Sequence, residues 1–132
     1  MHKPFLVTAA LLGAITVALG AFGAHFMKDL LTPQSLATYE TAVRYQFYHV
    51  FALAITGILY QPFPNNNIVR AGYFFISGII LFCGSLYLLT VSGPGYRWLG
   101  AVTPFGGISF ITGWLYLVVG IRNNSKTGSG KL

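Results

Sequence analysis

Between Phe5 and Ala24 the chain carries no charged residue, and three more apolar stretches follow it. A run of that length, at 1.5 Å of rise per residue, matches the ~30 Å hydrocarbon core of a bilayer. Over all 132 residues, 55% are hydrophobic and only 8% are charged. Soluble domains carry roughly 25% charged residues. A water-soluble fold of this size cannot hide so much apolar surface behind so few charges, so the solvent is lipid. The chain is read as a single all-α domain, an integral membrane bundle of four antiparallel transmembrane helices.

The expected spans cover about 5–24, 41–60, 71–91 and 98–121, within a transmembrane domain at 1–122; a flexible polar tail at 123–132 follows. Lys3 and the small residues Ala21, Gly23 and Ala24 would also suit a signal peptide, but the apolar stretch is long for one. A retained first helix is the better reading. A polar connection with Lys28, Asp29, Thr32 and Pro33 comes next; Thr32 supplies a capping oxygen and Pro33 the first helical position. The second helix would run to about Tyr60, with its first two turns protruding or lying among headgroups, where Glu40 and Arg44 can pair four residues apart. Pro62 to Asn67 breaks it, and Ser92-Gly93-Pro94-Gly95 makes the next turn. Gly128-Ser129-Gly130-Lys131 is no phosphate loop, since no strand precedes it.

Four spans put both termini on one side, with Lys3, Arg70, Arg122, Lys126 and Lys131, opposite Lys28, Arg44 and Arg97. The positive-inside rule then places both termini in the cytoplasm. These single basic residues flank apolar runs rather than forming one basic face, which argues against nucleic acid. Trp98 with Tyr96, and Tyr39, Tyr60 and Tyr73, fit interfacial anchoring.

Lipid supplies little hydrophobic drive between helices, so close backbone approach must hold them. Gly106, Gly113 and Gly120 recur every seven residues, as do Gly13 and Gly20; Ser77 with Gly84, and Gly78 with Ser85, repeat the interval. Such stripes predict contact seams in a left-handed bundle. Pro104 is expected to bend the fourth helix, with Thr103 helping to satisfy the break.

The densest polar group is on the second helix. Thr41, Tyr45, His49, Ala52 and Thr56 form a stripe expected to face the interior, and His25 closes the first span at the same side. With Tyr48, Glu40 and Arg44 these residues make a candidate functional cluster, because ionisable groups at membrane depth are costly. Three readings compete for it: helix capping and structural hydrogen bonds, which is favoured; a metal or haem held between His25 and His49; and a proton or solute path. Hydrolytic chemistry is disfavoured, since Asp29 and Glu40 are the only acids and the serines lie in no nucleophile motif. Cys83, the one cysteine, reads as a small hydrophobe. No cofactor, metal or enzymatic activity is expected; the partners are the bilayer and, through helix packing, another copy or other membrane proteins.

Gly20-Ala21-Phe22-Gly23-Ala24-His25, Tyr45-Gln46 with Tyr48-His49, Gly84-Ser85-Leu86-Tyr87, Thr103-Pro104 with Gly106-Gly107, and Gly113-Trp114 occur in that order. This set resembles the domain-of-unknown-function 423 family, small membrane proteins related to eukaryotic transmembrane protein 256. The resemblance spans nearly the whole chain; Cys83 stands where a serine would be expected. It implies a four-span protein of the bacterial inner membrane or a related organelle membrane, and no assigned activity.

Overall fold

The computed structural model describes residues 1–92 and 94–125. Gly93 of the third turn and residues 126–132, including Lys126, Lys131 and the Gly128–Lys131 stretch, lie outside them. The described residues are helical throughout, with four long elements: α1 (Lys3–Leu30), α2 (Pro33–Leu59), α3 (Asn66–Val91) and α4 (Thr103–Ser125), the last entered through a 3-10 helix, Pro94–Ala101. Three segments, Lys3–Leu30, Asn66–Val91 and Gly95–Asn123, are long and apolar enough to cross a membrane by length and composition. α2 falls short on hydropathy, because even its more apolar C-terminal part carries Arg44, Gln46 and His49.

Each boundary has a local cause. His2 caps α1 by accepting the Phe5 N–H on Nδ1, ahead of Pro4 in the first turn. Lys28 and Asp29 belong to the last turn of α1, so the first connection shrinks to Leu31 and Thr32. Thr32 accepts the Ser35 N–H at 3.2 Å and Pro33 starts α2, as the sequence predicts. Asn65 caps α3 through the N–H groups of Asn67 and Ile68, so α3 starts five residues before the expected span. Pro104 stands in the first turn of α4, where its missing N–H costs no helical bond, and the expected span changes from 3-10 to α-helix just before it, between Ala101 and Thr103. α4 also continues to Ser125, beyond the expected boundary at 122. Two wide π turns, Gly23–Met27 in α1 and Ile79–Cys83 in α3, are invisible in the apolar pattern.

α1 packs on α2, α2 on α3 and α3 on α4, while no substantial contact joins α1 to α4. The glycine stripe of α4 lies against α3. A Cβ on Gly106 would collide with the backbone of Phe82, one on Gly113 would come within 2.8 Å of the Phe75 ring, and one on Gly120 within 2.6 Å of Ile68. Each seven-residue step forward on α4 is met by a seven-residue step backward on α3, so the pair is antiparallel in a fixed register. The α1–α2 pair has its own register: Gly57 meets Leu6, Gly13 meets Val50 and Gly20 meets Val43. Gly78 is filled by Phe110. Gly84 is different, since nothing approaches its Cβ position within 4 Å, so it is no part of the seam. Its seven-residue partner Ser77 points to α4, and so do Gly78 and Ser85, the neighbouring pair at the same interval.

Outward faces are apolar: Val7, Leu11 and Ile15 on α1 and Phe105, Ile108 and Ile111 on α4 are all at least half exposed. This is the inside-out surface that lipid requires.

The Gly106→Ala variant is expected to lose about 1–3 kcal/mol, because the obstacle is backbone and cannot swing away. Gly84→Ala should be neutral or stabilising by up to about 1 kcal/mol, from helix propensity alone. Thermal or denaturant unfolding of both variants in detergent micelles measures the difference.

Candidate functional site

The polar groups of the interior are organised by Gln46, which the sequence reading places only within a family motif. Gln46 sits one helical turn above the Val50–Gly13 contact and is 3% exposed. Its Nε2 donates to Thr16 Oγ1 of α1 at 2.7 Å, and its Oε1 accepts from the Tyr87 hydroxyl of α3 at 2.8 Å. Thr16 passes the chain on to the Leu12 carbonyl at 2.6 Å. One amide side chain therefore ties three helices, and it uses an acceptor and a donor for the purpose. Spacings of three and four through Tyr39, Ala42, Gln46, His49, Leu53 and Thr56, all buried, mark the true inward stripe of α2. The expected stripe is right at His49, Ala52 and Thr56 but not at Thr41 and Tyr45, which sit towards the surface.

Other interhelix bonds follow the same pattern. Ser77 and Ser109 lie within hydrogen-bond reach of each other and of the Phe74 carbonyl, so one hydroxyl donates to that carbonyl and the other donates to it or to its serine neighbour. Ser85 of α3 meets Thr103 of α4 at 2.7 Å. Asn65 Nδ2 reaches the Gly120 carbonyl at 2.9 Å, and the His2 N–H reaches the Gly57 carbonyl at 2.8 Å. Tyr39 is no interfacial anchor: it is buried under Gly23, and its hydroxyl donates to the Leu19 carbonyl at 2.6 Å. Tyr73, Tyr96 and Trp98 remain exposed.

The expected functional cluster divides in two. Glu40 and Arg44 line a small groove between α1 and α2 with Gly20, Gly23, Ala24, Tyr39 and Val43. Both are exposed, and among the described residues no ion pair joins them. Tyr45 and His49 line a separate cavity with Phe82 of α3 and Gly107, Phe110, Ile111 and Trp114 of α4. Tyr48 and His25 belong to neither and are exposed. His25 lies in the π turn of α1, whereas His49 is level with Gly13. Twelve residues of helix separate those levels by about 18 Å along the axis. No single ion or haem can be shared by the two imidazoles at that distance, and the residues named for a proton path do not line one route.

His49 is fixed from three sides. Its Nδ1 lies 2.8 Å from the Tyr45 carbonyl, its Nε2 lies 3.3 Å from Trp114 Nε1, and its ring stacks on Phe110 with centroids 3.4 Å apart. A carbonyl only accepts and an indole N–H only donates, so the tautomer is settled by its partners: Nδ1 carries the proton and Nε2 receives one. Both nitrogens of the neutral ring are thereby engaged.

The family model described as "Protein of unknown function (DUF423)" matches residues 19–107, which cover Gln46, His49, all of α3 and the Gly106 end of the α3–α4 seam. The chain belongs to this family. A UPF0382 membrane protein of Staphylococcus epidermidis is 40% identical over 117 residues, 89% of this chain and 93% of its own length. One from Staphylococcus haemolyticus is 39% identical over the same shares of both chains. The UPF0382 membrane protein YwdK of Bacillus subtilis is 36% identical over 118 residues, 89% of this chain and 94% of its own. No solved structure matches this DUF423 chain.

Gln46→Leu is expected to destabilise the DUF423 fold by about 1–3 kcal/mol, since it strands the Tyr87 hydroxyl in the interior. A double-mutant cycle with Tyr87→Phe should return a coupling of about 0.6–2 kcal/mol, the range of interhelical hydrogen bonds in membranes. Unfolding in mixed micelles of the two single variants and the double variant measures it; a coupling near zero would mean that the bond does not form.

Proposed function

We propose that this protein is a non-enzymatic, four-span bundle of the bacterial inner membrane, with both termini cytoplasmic, that works by associating with other membrane components or with a second copy of itself. The observation that carries this reading is the engagement of the interior polar side chains with one another. Gln46, Thr16, Tyr87, Ser77, Ser109, Ser85 and Thr103 spend their hydrogen bonds between helices, and among the described residues no buried side-chain nitrogen or oxygen lacks a partner. Groups committed in that way hold helices together, so association falls to the outer surface. An apolar groove between α1 and α2, lined by Ala9, Ala10, Gly13, Phe47, Phe51 and Ala54, offers small residues there for a neighbouring helix.

Four crossings are favoured over three by the way α2 lies. It runs antiparallel along α1 from the Gly23–Tyr39 contact at one end to the His2–Gly57 bond at the other. A helix in register with a spanning helix over that length shares its depth in the membrane, whatever its own hydropathy. The seven-residue intervals of the seams favour left-handed packing.

In intact cells, cysteines placed at Lys28 and Arg97 in a Cys83→Ser background should react with a membrane-impermeant maleimide. Cysteines at Lys3 and Asn66 should react only after permeabilisation. Equal reactivity of the Lys28 and Asn66 positions would mean that α2 does not cross. Native mass spectrometry from a mild detergent tests the association itself: a homo-oligomer or a reproducible complex with another membrane protein is expected, and a bare monomer across detergents would overturn it.

A further inference from the structure

The cavity beside His49 is not accounted for by helix packing. It measures about 460 Å³, within the range of small-molecule sites, and its walls are Tyr45, Phe82, Phe110, Ile111, Trp114 and the edge of His49. Three features distinguish it from a packing gap. Gly107 borders it, and a Cβ there would meet nothing closer than the Phe82 ring at 4.0 Å. Glycine inside a helix costs about 0.5–1 kcal/mol against alanine, and at Gly106 close approach to Phe82 explains it. At Gly107 no neighbour demands it, and the position borders the cavity, so a larger side chain there would take up cavity space. Second, Phe82 lies in the π turn Ile79–Cys83, which shifts its register relative to an unbroken α-helix and sets its ring 4.8 Å from that of Tyr45. Inserted π turns of this kind occur frequently at functional sites.

The third feature is chemical. The hydroxyl of Tyr45, which is 38% exposed, has no hydrogen-bond partner among the described residues. A phenol placed in hydrocarbon with its proton unshared seeks an acceptor. The Trp114 indole N–H is a second donor at the cavity wall, held to His49 by a long 3.3 Å bond. The cavity lies near the level of Gly13 and Val50, midway along α1 and α2, and Trp114 and Ile111 are 45% and 62% exposed at its rim. A ligand would therefore enter sideways from the hydrocarbon rather than from water.

We propose that this cavity binds the head of a lipid-soluble quinone. A planar ring suits walls made of aromatic faces and edges. A ring carbonyl supplies the acceptor that Tyr45 lacks, and an isoprenoid tail would leave past Ile111 into the bilayer. A saturated acyl chain would answer neither the flat walls nor the donor. The site concerns one class of membrane component and stands on this cavity alone, so a bare monomer in the association experiment would leave it intact.

The chain has two tryptophans, Trp98 and Trp114, so a Trp98→Phe background makes Trp114 the reporter. The test titrates decylubiquinone into that protein in phosphatidylethanolamine–phosphatidylglycerol nanodiscs and follows Trp114 fluorescence. Saturable quenching is expected. Gly107→Leu should fill the cavity without disturbing the seam and weaken binding at least about tenfold, since a filled pocket excludes the ring. Tyr45→Phe should weaken it about 2–10-fold, the worth of one hydrogen bond. Ile111→Phe, a change at an exposed rim position that keeps Trp114 the sole reporter, supplies a second filled variant should Gly107→Leu fail to fold. Linear quenching of equal strength in the parent and filled variants would show partition into the lipid only and overturn the proposal. Equal displacement by decanol, or an unchanged affinity in Tyr45→Phe, would overturn the quinone as the ligand.

Discussion

The approach of Gly106 to the backbone of Phe82 is the contact on which the rest of the bundle depends. In a bilayer an exposed leucine is as well solvated as a buried one, so burial cannot drive two helices together. Dispersion and hydrogen bonding remain, and both decay over a few tenths of an ångström. Removing Cβ atoms at Gly106, Gly113 and Gly120 brings α4 close enough for its serine and threonine hydroxyls to reach α3. Ser109 bonds to Ser77 and Thr103 bonds to Ser85 because the glycines have set the separation. The α1–α2 pair repeats the arrangement with Gly23 and Gly57, and with Tyr39 and Thr16 as the polar links.

Between those two pairs the link is polar and aromatic. Gln46 joins the pairs by taking Thr16 on one side and Tyr87 on the other, while His49 reaches Trp114 and lies flat on Phe110. A buried amide without partners would cost several kcal/mol in hydrocarbon, so its two bonds also select one rotation of α2 about its axis. That rotation fixes which residues look inward. It turns Tyr39, Ala42 and Gln46 into the core and leaves Tyr48 and Arg44 outside. The same rotation separates the groove at Glu40 and Arg44 from the cavity at Tyr45 and His49, so one polar helix serves two unrelated surfaces.

The π turns add a second rotation within single helices. In α3 the turn Ile79–Cys83 lies between Ser77, which faces α4, and Gly84, which faces nothing. In α1 the turn Gly23–Met27 sits over Tyr39, whose ring occupies the place of a Cβ at Gly23.

Much of this was determined by the sequence alone. Long uncharged runs, Thr32-Pro33, Pro62 to Asn67 and the heptad glycines define four helices, the ends between them and the α3–α4 seam, because hydrophobic length, capping and small-residue periodicity are local properties. Family membership was also legible, since its motifs are short and ordered. The tertiary structure decided what depends on helix rotation and depth: that Gln46 rather than the histidine pair is the interior hub, that His25 and His49 lie about 18 Å apart along the axis, that Gly84 is idle and that Gly107 borders a cavity. Polar residues of one helix look alike in a sequence. Which of them meets a partner is set by the register with a neighbouring helix and by the extra residue of a π turn, and neither is encoded within the segment itself.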